Sequence, residues 1–71
     1  TIALIGCGNI GMHIIRRLRS HPGVTLLACE AREERRSELG AMGIRTWGAE
    51  HKAAFLAQPM DALVVNAAGG T

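Results

Sequence analysis

The sequence predicts an α/β fold, half of a doubly wound parallel sheet with strand order 3-2-1-4. Three observations carry this. Ile2-Ala3-Leu4-Ile5 and Ala62-Leu63-Val64-Val65 are short apolar runs without alternation, as strands covered on both faces read. Segments of helical period lie between the apolar runs, joined by connections of a few residues, which is the spacing of strand, crossover helix, strand units. A glycine-rich turn follows the first strand directly and opens the first helix, as in the mononucleotide-binding half of such sheets.

The elements follow in order. Ile2 to Ile5 forms the first strand, closed by Gly6. From Asn9 the apolar spacing turns helical, with Ile10, Ile14 and Leu18 at i, i+4 and i+8 and Gly11 and Ile15 filling the same side. Arg16, Arg17 and Arg19 sit near the helix end, where cations complement its dipole, and Ser20-His21-Pro22-Gly23 stops it. Val24 to Cys29 is a second apolar strand, parallel to the first, with Glu30 at its end. Arg32 to Met42 reads as a charged second helix that turns Leu39 and Met42 inward and terminates at Gly43. Ile44 to Trp47 is a short third strand. Gly48 to Gln58, apolar at Ala53, Phe55, Leu56 and Ala57, is a short third helix ending before Pro59. Asp61 caps a fourth buried strand, Ala62 to Val65, and Asn66 to Thr71 is small-residue backbone suited to close approach by a ligand.

Composition narrows the function classes. Seventy-one residues allow one domain, 1-71, with a thin core, since a domain of this size buries only about 60% of the surface of its unfolded chain. A net charge of +2 and 3% aromatic residues supply neither the basic field nor the stacking platform of a nucleic-acid binder. Cys7 and Cys29 are too few for a disulfide framework and lack metal-site spacing, so a reducing, cytoplasmic setting is expected. No apolar run approaches the roughly 20 residues of a membrane span. The chain opens directly in a strand pattern, and its fourth strand would be an uncharged apolar edge. It is therefore expected to be a partial domain excised from a longer protein, with more chain after it and the rest of that protein as its partner.

Gly6-Cys7-Gly8-Asn9-Ile10-Gly11 fits G-x-G-x-x-G between the first strand and the first helix, where the mechanism needs it. Gly6 permits the tight turn, Gly8 lets a diphosphate reach the backbone, and Gly11 lets the helix pack against the strand. Unpaired N–H groups near Asn9 and Ile10 then point at the diphosphate with the positive end of the helix dipole behind them. Glu30, nineteen residues after Gly11, stands where a carboxylate accepts the adenosine ribose hydroxyls. Its charge would repel a 2′-phosphate, which favours NAD; Arg32, with Arg35 and Arg36 behind it, keeps NADP possible. Arg35 and Arg36 are otherwise read as a solvated helix face pairing with Glu33, Glu34 or Glu38.

The remaining residue types have plainer readings. Cys7 is a small residue filling the loop, Cys29 belongs to the core, His13 faces solvent, Met12, Met42 and Met60 pack, and Trp47 covers the sheet edge. No catalytic acid or base is identified.

Gly6-Cys7-Gly8-Asn9-Ile10-Gly11-Met12-His13 resembles the Gly-x-Gly-Asn-Val-(Gly/Ala)-x-His stretch in the NAD(P)-binding (Rossmann) domain of the glutamate/leucine/phenylalanine/valine dehydrogenase family. Asp61 to Thr71 is similar to that family's strand of Asp and apolar residues followed by Pro-Cys-Ala, with Val65-Asn66 in place of Pro-Cys. Ala31-Arg32 likewise replaces an apolar-Asn pair. The resemblance implies oxidative deamination of an L-amino acid to a 2-oxo acid with hydride passed to NAD or NADP, in a homo-oligomer. It implies that Gly8, Asn9 and Ile10 contact the diphosphate, Glu30 the adenosine ribose, and Ala67 and Ala68 the region beside the nicotinamide ribose. The family's catalytic lysine and aspartate lie in a substrate domain outside these residues. A different class of function shares the loop and the acidic residue: the NAD(H)-sensing regulatory domains of potassium transport proteins, which are not catalytic.

Overall fold

The computed structural model describes residues 1–66. The chain runs β1 (Ile2–Ile5), α1 (Asn9–Leu18), β2 (Leu26–Cys29), α2 (Glu33–Ala41), β3 (Arg45–Trp47), a 3₁₀ turn at Ala49–His51, α3 (Lys52–Leu56) and β4 (Ala62–Val65). All strand pairs are parallel and the sheet order is β3-β2-β1-β4, as predicted. Ile2 lies beside Leu26 and Ala62, and Ile5 beside Cys29 and Val65, so β1, β2 and β4 end at one level. Between β1 and β4 the direction of winding reverses, which places the ligand crevice of such a sheet outside those two strand tips.

Period-2 alternation divides the core between the two sheet faces. Leu4, Leu26 and Ala28 join Cys7, Met12, Ile15, Leu39 and Ile44 on the face covered by α1 and α2. Ala3, Leu27 and Cys29 join Phe55 of α3 on the other. Every residue of β2 is buried, the signature of a strand sandwiched between layers. The end of α2 is fixed by a Schellman motif. Gly43 adopts φ +82 and donates to the Gly40 carbonyl at 3.0 Å, and Ile44 donates to the Leu39 carbonyl at 3.1 Å while packing in the same cluster as Leu39.

Several details depart from the predicted elements. Strand β2 starts at Leu26, because the Val24 N–H closes a turn onto the His21 carbonyl at 3.3 Å. Helix α2 spans Glu33–Ala41, with Arg32 and Met42 as its extended N-cap and its C-cap. The segment predicted as one helix from Gly48 begins as a 3₁₀ turn, with His51 donating to the Gly48 carbonyl at 3.0 Å, and of its apolar positions only Phe55 is buried. Ile10 is 73% exposed: the inward face of α1 is centred on Gly11, Met12 and Ile15, one residue beyond the Ile10, Ile14, Leu18 line. Strand β4 is the edge expected of it, but Leu63 and Val65 are exposed where a buried strand was predicted, because among the described residues only β1 pairs with it. No helix among the described residues is long and apolar enough to cross a membrane.

Candidate functional site

The turn from β1 into α1 is held from three sides. Gly6, at φ +80, donates its N–H to the Cys29 carbonyl of β2 at 2.9 Å, and its own carbonyl accepts the Asn66 side-chain amide at 2.7 Å. Left-handed backbone at this point suits glycine and strains any residue with a Cβ. The Cys7 N–H donates to Glu30 Oε1 at 2.8 Å, and the Cys7 carbonyl accepts Arg32 Nη2 at 3.1 Å. Side chains from the tips of β2 and β4 thus fix two successive peptide groups.

The next four do the opposite. The N–H groups of Gly8, Asn9, Ile10 and Gly11 have no acceptor among the described residues, and α1 carries neither a side-chain N-cap nor an acidic residue in its first turn. The Met12 N–H, bonded to the Gly8 carbonyl at 2.9 Å, is the first to enter the helical ladder. These donors crown the positive end of the helix dipole. Gly11 sets how close α1 comes to the strand: a Cβ there would stand 3.0 Å from the Gly6 carbonyl oxygen and 3.1 Å from Asn66 Nδ2.

Glu30 is buried at 5% exposure, and its carboxylate accepts three hydrogen bonds from within the protein. Oε2 accepts the Arg32 backbone N–H at 2.8 Å and Arg32 Nε at 3.2 Å, beside the Cys7 bond on Oε1. Burial pushes this carboxyl up, but the Arg32 guanidinium and the N–H groups of Arg32 and Cys7 outweigh it and hold the carboxyl below its ordinary value. The Arg32 side chain, 48% exposed, covers the carboxylate from the solvent side.

The structure brings Gly6, Gly8, Asn9, Ile10, Gly11, Glu30 and Arg32 together around one loop. Ala67 and Ala68 lie outside the described residues. Glu30 lies at the loop as the spacing suggested, and its carboxylate already accepts three hydrogen bonds from Cys7 and Arg32. Arg35 pairs with Glu38 at 3.7 Å, as expected, but at 17% exposure it is not on a solvated face, whereas Arg36 turns from the acids to the end of β2. Its Nη1 donates to the Glu30 and Ala31 carbonyls at 2.7 and 2.8 Å. Sequence reasoning missed Asn66 as a site residue. The available signal was its polarity, immediately after an apolar strand in register with the strand that ends at the glycine turn.

Both cysteines are buried. Burial, with the Glu30 charge behind it, pushes the Cys7 thiol up to about 11, which favours the neutral thiol. Trp47 packs edge-on against Phe55, with ring centroids 5.6 Å apart, which agrees with a role over the sheet. No cluster of three or more metal-ligating side chains occurs among the described residues. A depression of about 320 Å³ lined by Arg19, Leu26, Met42, Ile44 and Arg45 lies at the opposite ends of β2 and β3, far from the loop. Comparison with protein-family models, curated proteins and solved structures gives no match.

Proposed function

We propose that this chain is the dinucleotide-binding portion of an NAD-dependent oxidoreductase, with an amino-acid dehydrogenase as the specific case. The observation that carries the reading is the row of four unpartnered N–H groups, Gly8 to Gly11, at the β1 and β4 tips where winding reverses. A diphosphate carries the charge and acceptors that such a row needs, and Gly8, without a side chain, leaves the backbone bare for its approach. The resemblance of Gly6 to His13 and of the stretch from Asp61 to the glutamate/leucine/phenylalanine/valine dehydrogenases supports the enzymatic class. Bound there, the nicotinamide would supply the hydride acceptor. The chain's own work is positional: its amides fix the diphosphate, and the strand tips align the rest of the cofactor toward a substrate held by other parts of the protein.

NAD is the favoured cofactor because Glu30 places negative charge at the tip of β2. The half-exposed Arg32 guanidinium over that charge favours NADP as a second reading. Calorimetric titration of the full protein with NAD and NADP tests both. NAD is expected to bind more tightly, and Arg32→Ala to widen the preference by removing the cation that would face a 2′-phosphate. Gly8→Val should abolish binding of both while circular dichroism keeps the α/β signature. Failure of the wild-type protein to bind either nucleotide would overturn the proposal.

A further inference from the structure

We infer that Glu30 serves nucleotide binding as a positioning residue that braces the loop, and not as a ligand of the adenosine ribose. The inference rests on the dinucleotide reading and assigns a different task to one residue within it. Glu30 is 5% exposed, and its two oxygens accept three hydrogen bonds from within the protein, of 2.8, 2.8 and 3.2 Å. Oε1 accepts one bond and keeps a free lone pair, but at 5% exposure a ribose hydroxyl would reach it only after Arg32 moved aside, leaving a buried charge without its partner. Left in place, those bonds do something specific to the loop.

One ion pair grips the two peptides that flank the Cys7 Cα: Glu30 takes the N–H of the first, and Arg32, bonded to the same carboxylate, donates to the carbonyl of the second at 3.1 Å. Asn66 fixes the preceding carbonyl from the other side at 2.7 Å. The plane of the peptide before Gly8 is therefore set before any ligand arrives, and with it the direction of the Gly8 N–H, while the amides of Asn9 to Gly11 are aimed by the first turn of α1. Donors already aimed bind an anion without the ordering cost that a loose glycine loop would meet. Arg36, which ties the Glu30 and Ala31 carbonyls at 2.7 and 2.8 Å, holds the base of the brace still.

The two roles separate when the ligand loses its ribose hydroxyls. ADP and 2′,3′-dideoxy-ADP are titrated into the full-length wild-type protein, Glu30→Ala and Glu30→Gln, with amide hydrogen exchange followed at Cys7. A brace predicts that the wild type binds the two probes within about threefold of each other. It predicts that Glu30→Ala weakens both by the same factor, about tenfold, as expected for losing a charge-assisted hydrogen bond. Glu30→Gln, which retains an acceptor for the Cys7 N–H but turns an amide donor toward Arg32, should recover only part of that loss, and Cys7 exchange should accelerate in the alanine variant beyond the change in global stability. A wild type that already loses tenfold or more on removal of the hydroxyls overturns the brace, and this comparison stands even if Glu30→Ala does not fold. So does an alanine variant weakened toward ADP alone, or toward neither probe; the dinucleotide reading survives all three results. A wild type that binds neither probe overturns the dinucleotide reading and the brace together.

Discussion

Replacing Gly6 with alanine isolates the packing that shapes the loop. The residue sits at φ +80, where a Cβ costs about 1 to 2 kcal/mol against the following carbonyl. That Cβ would also stand 3.1 Å from the Asn66 carbonyl oxygen, a backbone atom whose own residue is tied to β1 by the bond from Asn66 N–H to the Ile5 carbonyl at 2.9 Å. Relieving the contact means shifting the β4 tip, which adds about 1 kcal/mol on the scale of overpacked cores. Alanine also restricts the unfolded chain and returns about 0.4 to 1 kcal/mol, leaving a net loss near 2 kcal/mol. Gly23 supplies the control, because it has the same φ of +80 but nothing within 4 Å of its would-be Cβ, so Gly23→Ala should cost only about 1 kcal/mol. Gly40, inside α2 with open space around it, should gain up to about 1 kcal/mol on the same change. Urea unfolding followed by the fluorescence of Trp47, the single tryptophan, reads all three. With a slope of about 1 kcal/mol per molar, the midpoints should move by about −2, −1 and +1 M. Equal losses at Gly6 and Gly23 would show that Asn66 does not press on the turn and would refute the three-sided clamp.

Three further outcomes follow. Asn66→Ala removes the amide bonded to the Gly6 carbonyl and should cost about 1 kcal/mol in the same urea assay, with a parallel fall in dinucleotide affinity. Because the Glu30 carboxyl is held below its ordinary value, its contribution to stability is complete above the unfolded value near 4.5 and is lost as pH falls through the folded value. Urea midpoints measured from about pH 6 to about pH 3 should therefore drop more steeply for the wild type than for Glu30→Gln. The Cys7 thiol moves the opposite way: its contribution is whole below the unfolded value of 9.0 and drains as pH rises toward about 11. Iodoacetamide should accordingly leave Cys7 and Cys29 unlabelled in the native protein and label both in urea, as read by mass spectrometry.

The fold was legible because its signals are local. Apolar runs, a glycine turn and short connections state strand, helix and order without reference to distant residues, and the sheet order follows from the rule for such units. Two kinds of feature were not legible. The inward face of α1 depends on where the sheet lies beneath it, so Ile10, apolar and in phase with Ile14, still projects past the strand tips into solvent. The partners of the loop come from other strands: Glu30 could be placed near it by spacing, but its burial under Arg32 needs the packed layers, and the grip of Asn66 on Gly6 spans 60 residues that no local pattern encodes. Arg36 shows the same limit, since a basic residue on a charged helix gives no sign that two strand-end carbonyls lie within its reach.

The distance in sequence between the two halves of the clamp bears on how the protein is made. A ribosome delivers Gly6, Cys7, Glu30 and Arg32 early, so one jaw closes as soon as β1 and β2 pair. The second jaw, Asn66, arrives only after β4 has been synthesised and has crossed to the far side of β1. The clamp is therefore incomplete until β4 is in place, and a nascent chain stopped before that strand would carry the glycine turn without the bond from Asn66.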